Sequence, residues 1–335
     1  MKRKYIMLSI VSVVLIAAAT GLYLHLSPAR RFAPNSLPIV ASPLYELPAA
    51  LDSGPSTVDG PAADTQVSTA VTLIHEADQT GARGFNLLLL GTDRRENEPS
   101  RTDSIILAHV DPVEKQLVVI SLPRDLRINI PGVGASKLNH VHFLEEAVNG
   151  NEAATQSVIQ AVSNFFGVPI HYYAKTDFWG FTAIIDTIGG VEVDLPAAIH
   201  TNELNLEAGR QLVDGATALA LARERYSLAN GDFGRQIDQI LILKAAAERV
   251  LSPEQLSKLP RIVEQINDSI IDTNLTSSDL ISLGLVFKGF SGETMKHVQL
   301  KGTSMWAMDP LVGKRLWYWV PEQGEAEYIS KTYLQ

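Results

Sequence analysis

FNLLLLGTD, residues 85–93, is a nearly unbroken apolar run closed by a glycine and an aspartate. A run this short with no polar face suits a strand covered on both sides. Two more β-rich runs follow, SIILAHVD at 104–111 and QLVVISLP at 116–123, parted by an Asp111-Pro112 turn signal. Helical spacing appears at about 136–148 and 152–166. HYYAKTD then reads as a strand, FWGFTAIIDTIGG as a helix closed by a glycine pair, and VEVDLP as another strand. Strands alternating with helices predict an α/β domain, a layered sheet with flanking helices. Asp214 can cap a helix through about Ala222, and a second helix is expected from Asp232 to Val250. Beyond 251 the pattern gives more helix in PEQLSKLPRIVEQI and SDLISLGLVFKGF, a strand at KHVQL and an aromatic stretch, LWYWVP. With 335 residues, 46% of them hydrophobic, the chain can bury a sizeable core.

The N-terminus adds a different constraint. Lys2, Arg3 and Lys4 precede an apolar run from Tyr5 to Leu26 in which only His25 is ionisable. A bilayer span needs about 20 such residues, and a basic leader favours a cytoplasmic N-terminus. Residues 1–26 are therefore expected to be a leader and one transmembrane helix, with the rest outside the membrane. A cleaved signal peptide, with small residues at Ala17–Ala19, is the competing reading. Residues 27–83 are rich in proline and small residues and read as a linker, with a reach of about 40 Å if flexible. Within it, VSTAVTLIHEADQ at 67–79 has helical spacing and is an alternative first helix. The folded domain is placed at 84–335.

A net charge of −9 argues against a nucleic-acid partner. With no cysteine, the chain has no disulfide framework, thiolate metal site or thiol nucleophile. Against that acidic background, LARERYSLANGDFGRQIDQ concentrates Arg223, Arg225 and Arg235 around one connection, with Gln239 one turn beyond Arg235 on the same helix face. The loop GTDRRENEPSRTDS supplies Asp93 and Asp103 from its two ends. Two such carboxylates suit Mg²⁺, which takes one or two protein carboxylates together with substrate phosphate oxygens. Arg124, in SLPRD, adds a cation at another strand end, its plainest alternative being a salt bridge to Asp125.

Other motifs carry less. PGVGASK lacks the spacing of a phosphate-binding glycine loop, and GFSGE misses the nucleophile-elbow pattern. His140 and His142 have no third metal ligand nearby in sequence. Trp306, Trp317 and Trp319 read as core or interface aromatics rather than a sugar platform.

LLLLGTDRR, RTDSIILAHV, ISLPRDLRINIPG, KLNHVH, HYYAKTDFWGFTAIIDTIGGVEVDLP, LVDGATALALARERY and GDFGRQIDQ, in that order, resemble the LytR-CpsA-Psr family of cell-wall glycopolymer ligases over roughly 85–250. The resemblance implies an α/β domain that holds a polyprenyl chain in an apolar pocket with its pyrophosphate at the mouth. It implies transfer of a glycopolymer from a polyprenyl-pyrophosphate carrier to peptidoglycan or another cell-envelope acceptor. Asp93 and Asp103 would be the Mg²⁺-associated carboxylates; Arg124, Arg223, Arg225, Arg235 and Gln239 would bind pyrophosphate, with Arg101 beside them. Asp93, Asp103, Arg124 and Arg225 are the expected catalytic set, with Asp103 as a weak general base. A polyprenyl-pyrophosphate hydrolase and a non-catalytic, membrane-tethered lipid-binding or regulatory protein are the alternatives. The family pattern has arginine where this chain has Asp238, which is spaced to pair with Arg235.

Overall fold

The computed structural model describes residues 31–44, 84–93, 98–225 and 231–335. The apolar N-terminal run, the pattern at 67–79, most of the expected linker, Arg94, Arg95 and residues 226–230 lie outside them. Among the described residues no helix is long and apolar enough to cross a bilayer.

The first apolar runs form strands β1 (Phe85–Thr92), β2 (Thr102–Asp111) and β3 (Gln116–Leu122). Helices α1 (Leu138–Asn149) and α2 (Asn151–Phe166) follow, then β4 (Tyr172–Asp177) and α3 (Phe178–Thr187). The Asp177 carboxylate caps α3 by accepting the Gly180 N–H at 2.8 Å. Gly189 and Gly190 close that segment at φ 82° and 79°, where a Cβ on Gly190 would meet the Val213 carbonyl oxygen at 2.7 Å. Helices α4 (Gly215–Arg223) and α5 (Asp232–Val250) occupy the expected ranges, α4 capped by Asp214 through the Thr217 N–H. The helical pattern at 253–266 divides into two short helices, 253–256 and 259–266, with Pro260 in the first turn of the second. There proline needs no hydrogen-bonded N–H. Strand β5 (Asp272–Thr273), helix α6 (Ser277–Val286), strand β6 (Met295–Gln299) and helix α7 (Glu325–Tyr333) complete the frame.

The architecture is a mixed α/β fold. Its central sheet has the order β5-β4-β1-β2-β3-β6. β1 runs antiparallel to β2 and β2 to β3, whereas β4 is parallel to β1 and β6 parallel to β3. The carboxyl ends of β1, β3, β4 and β6 and the amino end of β2 therefore share one edge. The register fixes this, pairing Thr92 with both Thr102 and Asp177, and Ser121 with Gln299. One face of the sheet packs Leu88, Leu90, Ile105, Leu107 and Ile120 against Val158, Ile159, Val162 and Phe166 of α2. On the opposite face Ile106 and Val119 meet Ile240 of α5, with Leu89 and Leu243 alongside.

Two features depart from the linear pattern. PGVGASK falls in a hairpin that pairs 127–130 with 134–137, and the LWYWVP stretch is one arm of a ribbon pairing 302–309 with 314–321. Residues 31–44, expected to belong to the linker, lie on the body instead. Phe32 stacks on Phe85 with centroids 4.8 Å apart, Arg31 pairs with Asp279 at 2.6 Å, and Ala41 bridges Ile170. Phe32 is 3% exposed, so burial of its ring is the physical reason this part is not a free tether.

Candidate active site

At the shared sheet edge, one chain of opposite charges joins three elements. Arg124, just past β3, donates from Nη1 to Asp103 Oδ1 at 2.8 Å. Its Nε lies 3.7 Å from Asp232 Oδ1 and 3.8 Å from Asp125 Oδ2. Arg235 Nη2 in turn donates to Asp232 Oδ1 at 2.7 Å. Arg124 thus faces Asp103 more closely than its sequence neighbour Asp125, which Lys137 engages at 2.5 Å. Burial on its own would lower the Arg124 pKa, but Asp103, Asp125 and Asp232 together raise it above the usual value. Arg235 is 6% exposed, and its burial outweighs Asp232 and lowers its pKa. The Nε atoms of both arginines are buried without a hydrogen-bond partner. Two guanidinium groups beside one shared carboxylate concentrate positive charge at this edge of the sheet.

Asp93 is buried next to this chain at the end of β1. Its Oδ1 accepts the Arg101 N–H at 2.6 Å, closing the polar loop across the paired strand ends. Arg101 stacks its guanidinium 4.7 Å from the Phe143 ring centroid. Gln239 accepts from Ser104 Oγ at 3.2 Å and donates to the Ala222 carbonyl at 3.2 Å, tying α5 to β2 and to the end of α4. The structure therefore joins Asp103 to Arg124 directly and Arg235 to Arg124 through Asp232, with Asp93, Arg101 and Gln239 at the flanking strand and helix ends. Arg223 is placed differently, exposed with its guanidinium 4.8 Å from the Phe178 centroid. Arg225 is half-buried, its N–H donating to the Glu224 carboxylate at 2.8 Å.

Asp238 corrects the expected pairing. Arg235 takes Asp232, three residues before it, and Asp238 is 8% exposed with Oδ2 lacking a hydrogen-bond partner. Burial first, then the charge of Glu224, pushes its pKa up to about 6. Asp232 is the site residue that the sequence reading missed, having served there only as a helix start. Its spacing from Arg235, three positions on one helix, was the available signal.

The loop carrying Asp93 and Arg101 has an anchor of its own. Glu146 Oε2 on α1 accepts both the Ser100 N–H and, at 2.7 Å, the Ser100 hydroxyl. His142 Nδ1 donates to the Ser100 carbonyl at 3.0 Å, which leaves Nε2 to face the buried Lys175 ammonium at 3.5 Å. Burial and then Lys175 lower the His142 pKa, so the ring is neutral at neutral pH. His140 instead bonds Ser136 Oγ at 2.9 Å within the hydrogen-bonded group formed with Asp309. Among the described residues no cluster of three or more histidine or acidic side chains could hold a metal ion. Glu146→Ala should lower activity about tenfold, the scale of losing charge-assisted hydrogen bonds that fix the loop. Because Glu146 is partly exposed, its melting temperature should fall by only a few degrees. Glu146→Gln should recover part of the activity, and parallel rate and thermal-melt measurements check both.

Comparison with known proteins adds independent findings. A polyisoprenyl-teichoic acid–peptidoglycan teichoic acid transferase TagU of Enterococcus faecalis is 32% identical over 223 residues, 65% of this chain and 70% of that protein. A TagU transferase of Oceanobacillus iheyensis is 31% identical over 249 residues, 73% of each chain. The crystal structure of Bacillus subtilis TagV superposes with a TM-score of 0.65 at 26% identity, covering 76% of this chain and 96% of that one. The LytR_cpsA_psr family model matches residues 57–334, and the chain belongs to that family.

Proposed function

We propose that this protein is a glycopolymer ligase of the cell envelope. It moves a glycopolymer with its phosphate from a polyprenyl-pyrophosphate carrier to peptidoglycan or another envelope acceptor, working outside the membrane from a single N-terminal anchor. The observation that carries the reading is the Arg124–Asp232–Arg235 arrangement, two guanidinium groups sharing one carboxylate at the carboxyl edge of the sheet. Ligands of open α/β sheets favour such an edge. The activity named for the TagU relatives supports the same reaction class.

A pyrophosphate diester carries about two negative charges, and a unit pair 4 Å apart interacts by roughly 4 kcal/mol at an effective dielectric of 20. Arg124 and Arg235 would grip its oxygens, with Arg101, Arg223, Arg225 and Gln239 at the rim. Asp93 and Asp103 would suit Mg²⁺ because they offer carboxylate oxygen, the donor type this ion prefers, from the adjoining ends of β1 and β2, Asp103 standing at the register shift between the Gly91–Ser104 and Thr92–Thr102 pairs. Bound there, the ion would offset the repulsion between carboxylates and phosphate. The prenyl tail would have to part the apolar layer between the sheet and α5, where Ile106 and Ile240 are packed at 7% and 5% exposed. In the reaction an acceptor sugar hydroxyl attacks the glycan-side phosphorus, passing its proton to Asp103 as a weak general base or to solvent. The new P–O bond forms as the bond to polyprenyl phosphate breaks, and that phosphate departs with the electron pair. Positioning and charge neutralisation supply most of the rate.

The test is incubation of the full chain with synthetic lipid-pyrophosphate-sugar, Mg²⁺ and peptidoglycan oligomers. Phosphosugar attached to the oligomer is expected. Release of free phosphosugar alone would make the protein a hydrolase, and an unchanged donor would leave only a lipid-binding role.

A further inference from the structure

We propose that the outer face of the C-terminal ribbon is the platform on which the acceptor glycan lies, an inference that rests on the transfer reading above. The register of the ribbon sets Trp306 opposite Trp317, Ser304 opposite Trp319 and Met308 opposite Arg315. Side chains alternate between the faces of a strand, so these six share one face. The other face carries Tyr318 and Asp309, both fully buried. Asp309 accepts from the Tyr318 hydroxyl at 2.6 Å and from Ser136 Oγ at 2.8 Å, which clamps the ribbon to the body. The tryptophan face is turned away from that clamp, open at Trp306 while its Trp319 end packs against the core. Trp306 is 61% exposed, which sets aside a core role for it.

The aromatic row begins at the arginine site. Phe233, between Asp232 and Arg235, has its ring centroid 4.4 Å from that of Trp319, and Trp317 follows 6.4 Å further on at an interplanar angle of 34°. Trp319 is fixed by two bonds, its N–H donating to the Asp125 carbonyl at 3.0 Å and its indole N–H to the Leu300 carbonyl at 3.1 Å. A rigid aromatic strip that starts beside phosphate-binding groups and runs outward suits a chain of pyranose rings. Their C–H faces are apolar and can cover indole, while their hydroxyl edges stay in water. Exposed Arg315, on the same face near the outer end, favours a chain that bears carboxylates. A lipid surface matches less well, because the three indoles line the flank of the ribbon and not its turn at 310–313.

The test uses the full chain in detergent. Binding of a peptidoglycan-derived oligosaccharide is followed by tryptophan fluorescence without lipid donor, and transfer kinetics are measured separately. Trp306→Ala and Trp317→Ala should each raise the acceptor KM roughly five- to tenfold, leaving the donor KM and kcat at saturating acceptor unchanged. Trp306→Tyr should recover most of the loss. Trp306 is exposed, so Trp306→Ala decides the matter even if Trp317→Ala does not fold. A parental acceptor KM in Trp306→Ala overturns the platform and leaves the transfer reading intact. No transfer by the parent, with oligosaccharide binding lost in Trp306→Ala, sinks the transfer reading and keeps this face as a glycan site. Weakened binding to phosphatidylglycerol vesicles with oligosaccharide binding unchanged would make the face a membrane contact and overturn the inference.

Discussion

Arg124→Ala should reduce glycopolymer transfer by about 10²–10³-fold in single-turnover measurements, the scale of removing one preorganised charge-stabilising donor. The expected loss follows from what the guanidinium touches. It holds Asp103 at 2.8 Å and lies within 3.8 Å of Asp125 and Asp232. Without it, three carboxylates face an incoming pyrophosphate with Arg235 as the nearest cation on the Asp232 side. The fold should survive, because Asp125 keeps Lys137 and Asp232 keeps Arg235, and Asp103 is open enough to regain water. Arg124→Lys should recover little, since a compact ammonium cannot reach Asp103 and also present a planar fork to phosphate oxygens. Transfer by Arg124→Ala at the parental rate would remove this arginine from the site.

Asp238→Asn should raise the melting temperature at pH 8 by roughly 4–8 °C, a gain that shrinks as the pH falls. The carboxyl titrates near 6 in the folded protein against an ordinary 3.8, because burial and Glu224 disfavour its charge. The folded state therefore holds a proton that the unfolded chain has released between about pH 4 and 6, and stability is lost as the pH rises through that window. A displacement of that size corresponds to at most about 3 kcal/mol. Solvent reaching part of the carboxylate cuts this to on the order of 2 kcal/mol. In a domain this large each kcal/mol moves the melting temperature by about 2–4 °C. Thermal melts of parent and variant at pH 4.5 and 8 check the reading, and an equal gain at both would exclude charge as the cause. Asp238→Arg would have to bury a longer cation where Glu224 is the near charge, so its effect depends on that carboxylate more than on Arg235.

Local pattern made much of the frame legible. Leu87–Leu90 marked a covered strand, Asp214 marked a helix start, and the Asp232–Val250 range follows from an acidic first turn and apolar spacing. The hairpins at 127–137 and 302–321 were less visible, because their pairing depends on contacts with the body, such as Tyr318 with Asp309, that no short window contains. Asp103 and Arg124 were recognised separately, and only the antiparallel register of β2 and β3 brings them to one edge. Asp232 was missed as a partner because a helix-starting aspartate has an ordinary local explanation. The Asp238–Arg235 pairing failed for a related reason: i, i+3 spacing allows contact on either side of an arginine, and Arg235 takes Asp232.

The docking of residues 31–44 changes what the proline-rich segment can do. Leu44 donates its N–H to the Asn164 side chain at 2.9 Å, and Gly84 leads directly into β1, so both ends of the 45–83 stretch are fastened to the same body. The length of 45–83 would therefore not count toward the distance between the proposed anchor and the site. With the apolar run ending at Leu26 as the proposed span and Arg31 already paired to Asp279, the leash is a handful of residues. On the proposed anchor, an enzyme held that closely would give up reach and keep a preferred heading, with the Arg31–Asp279 flank on the side of the bilayer.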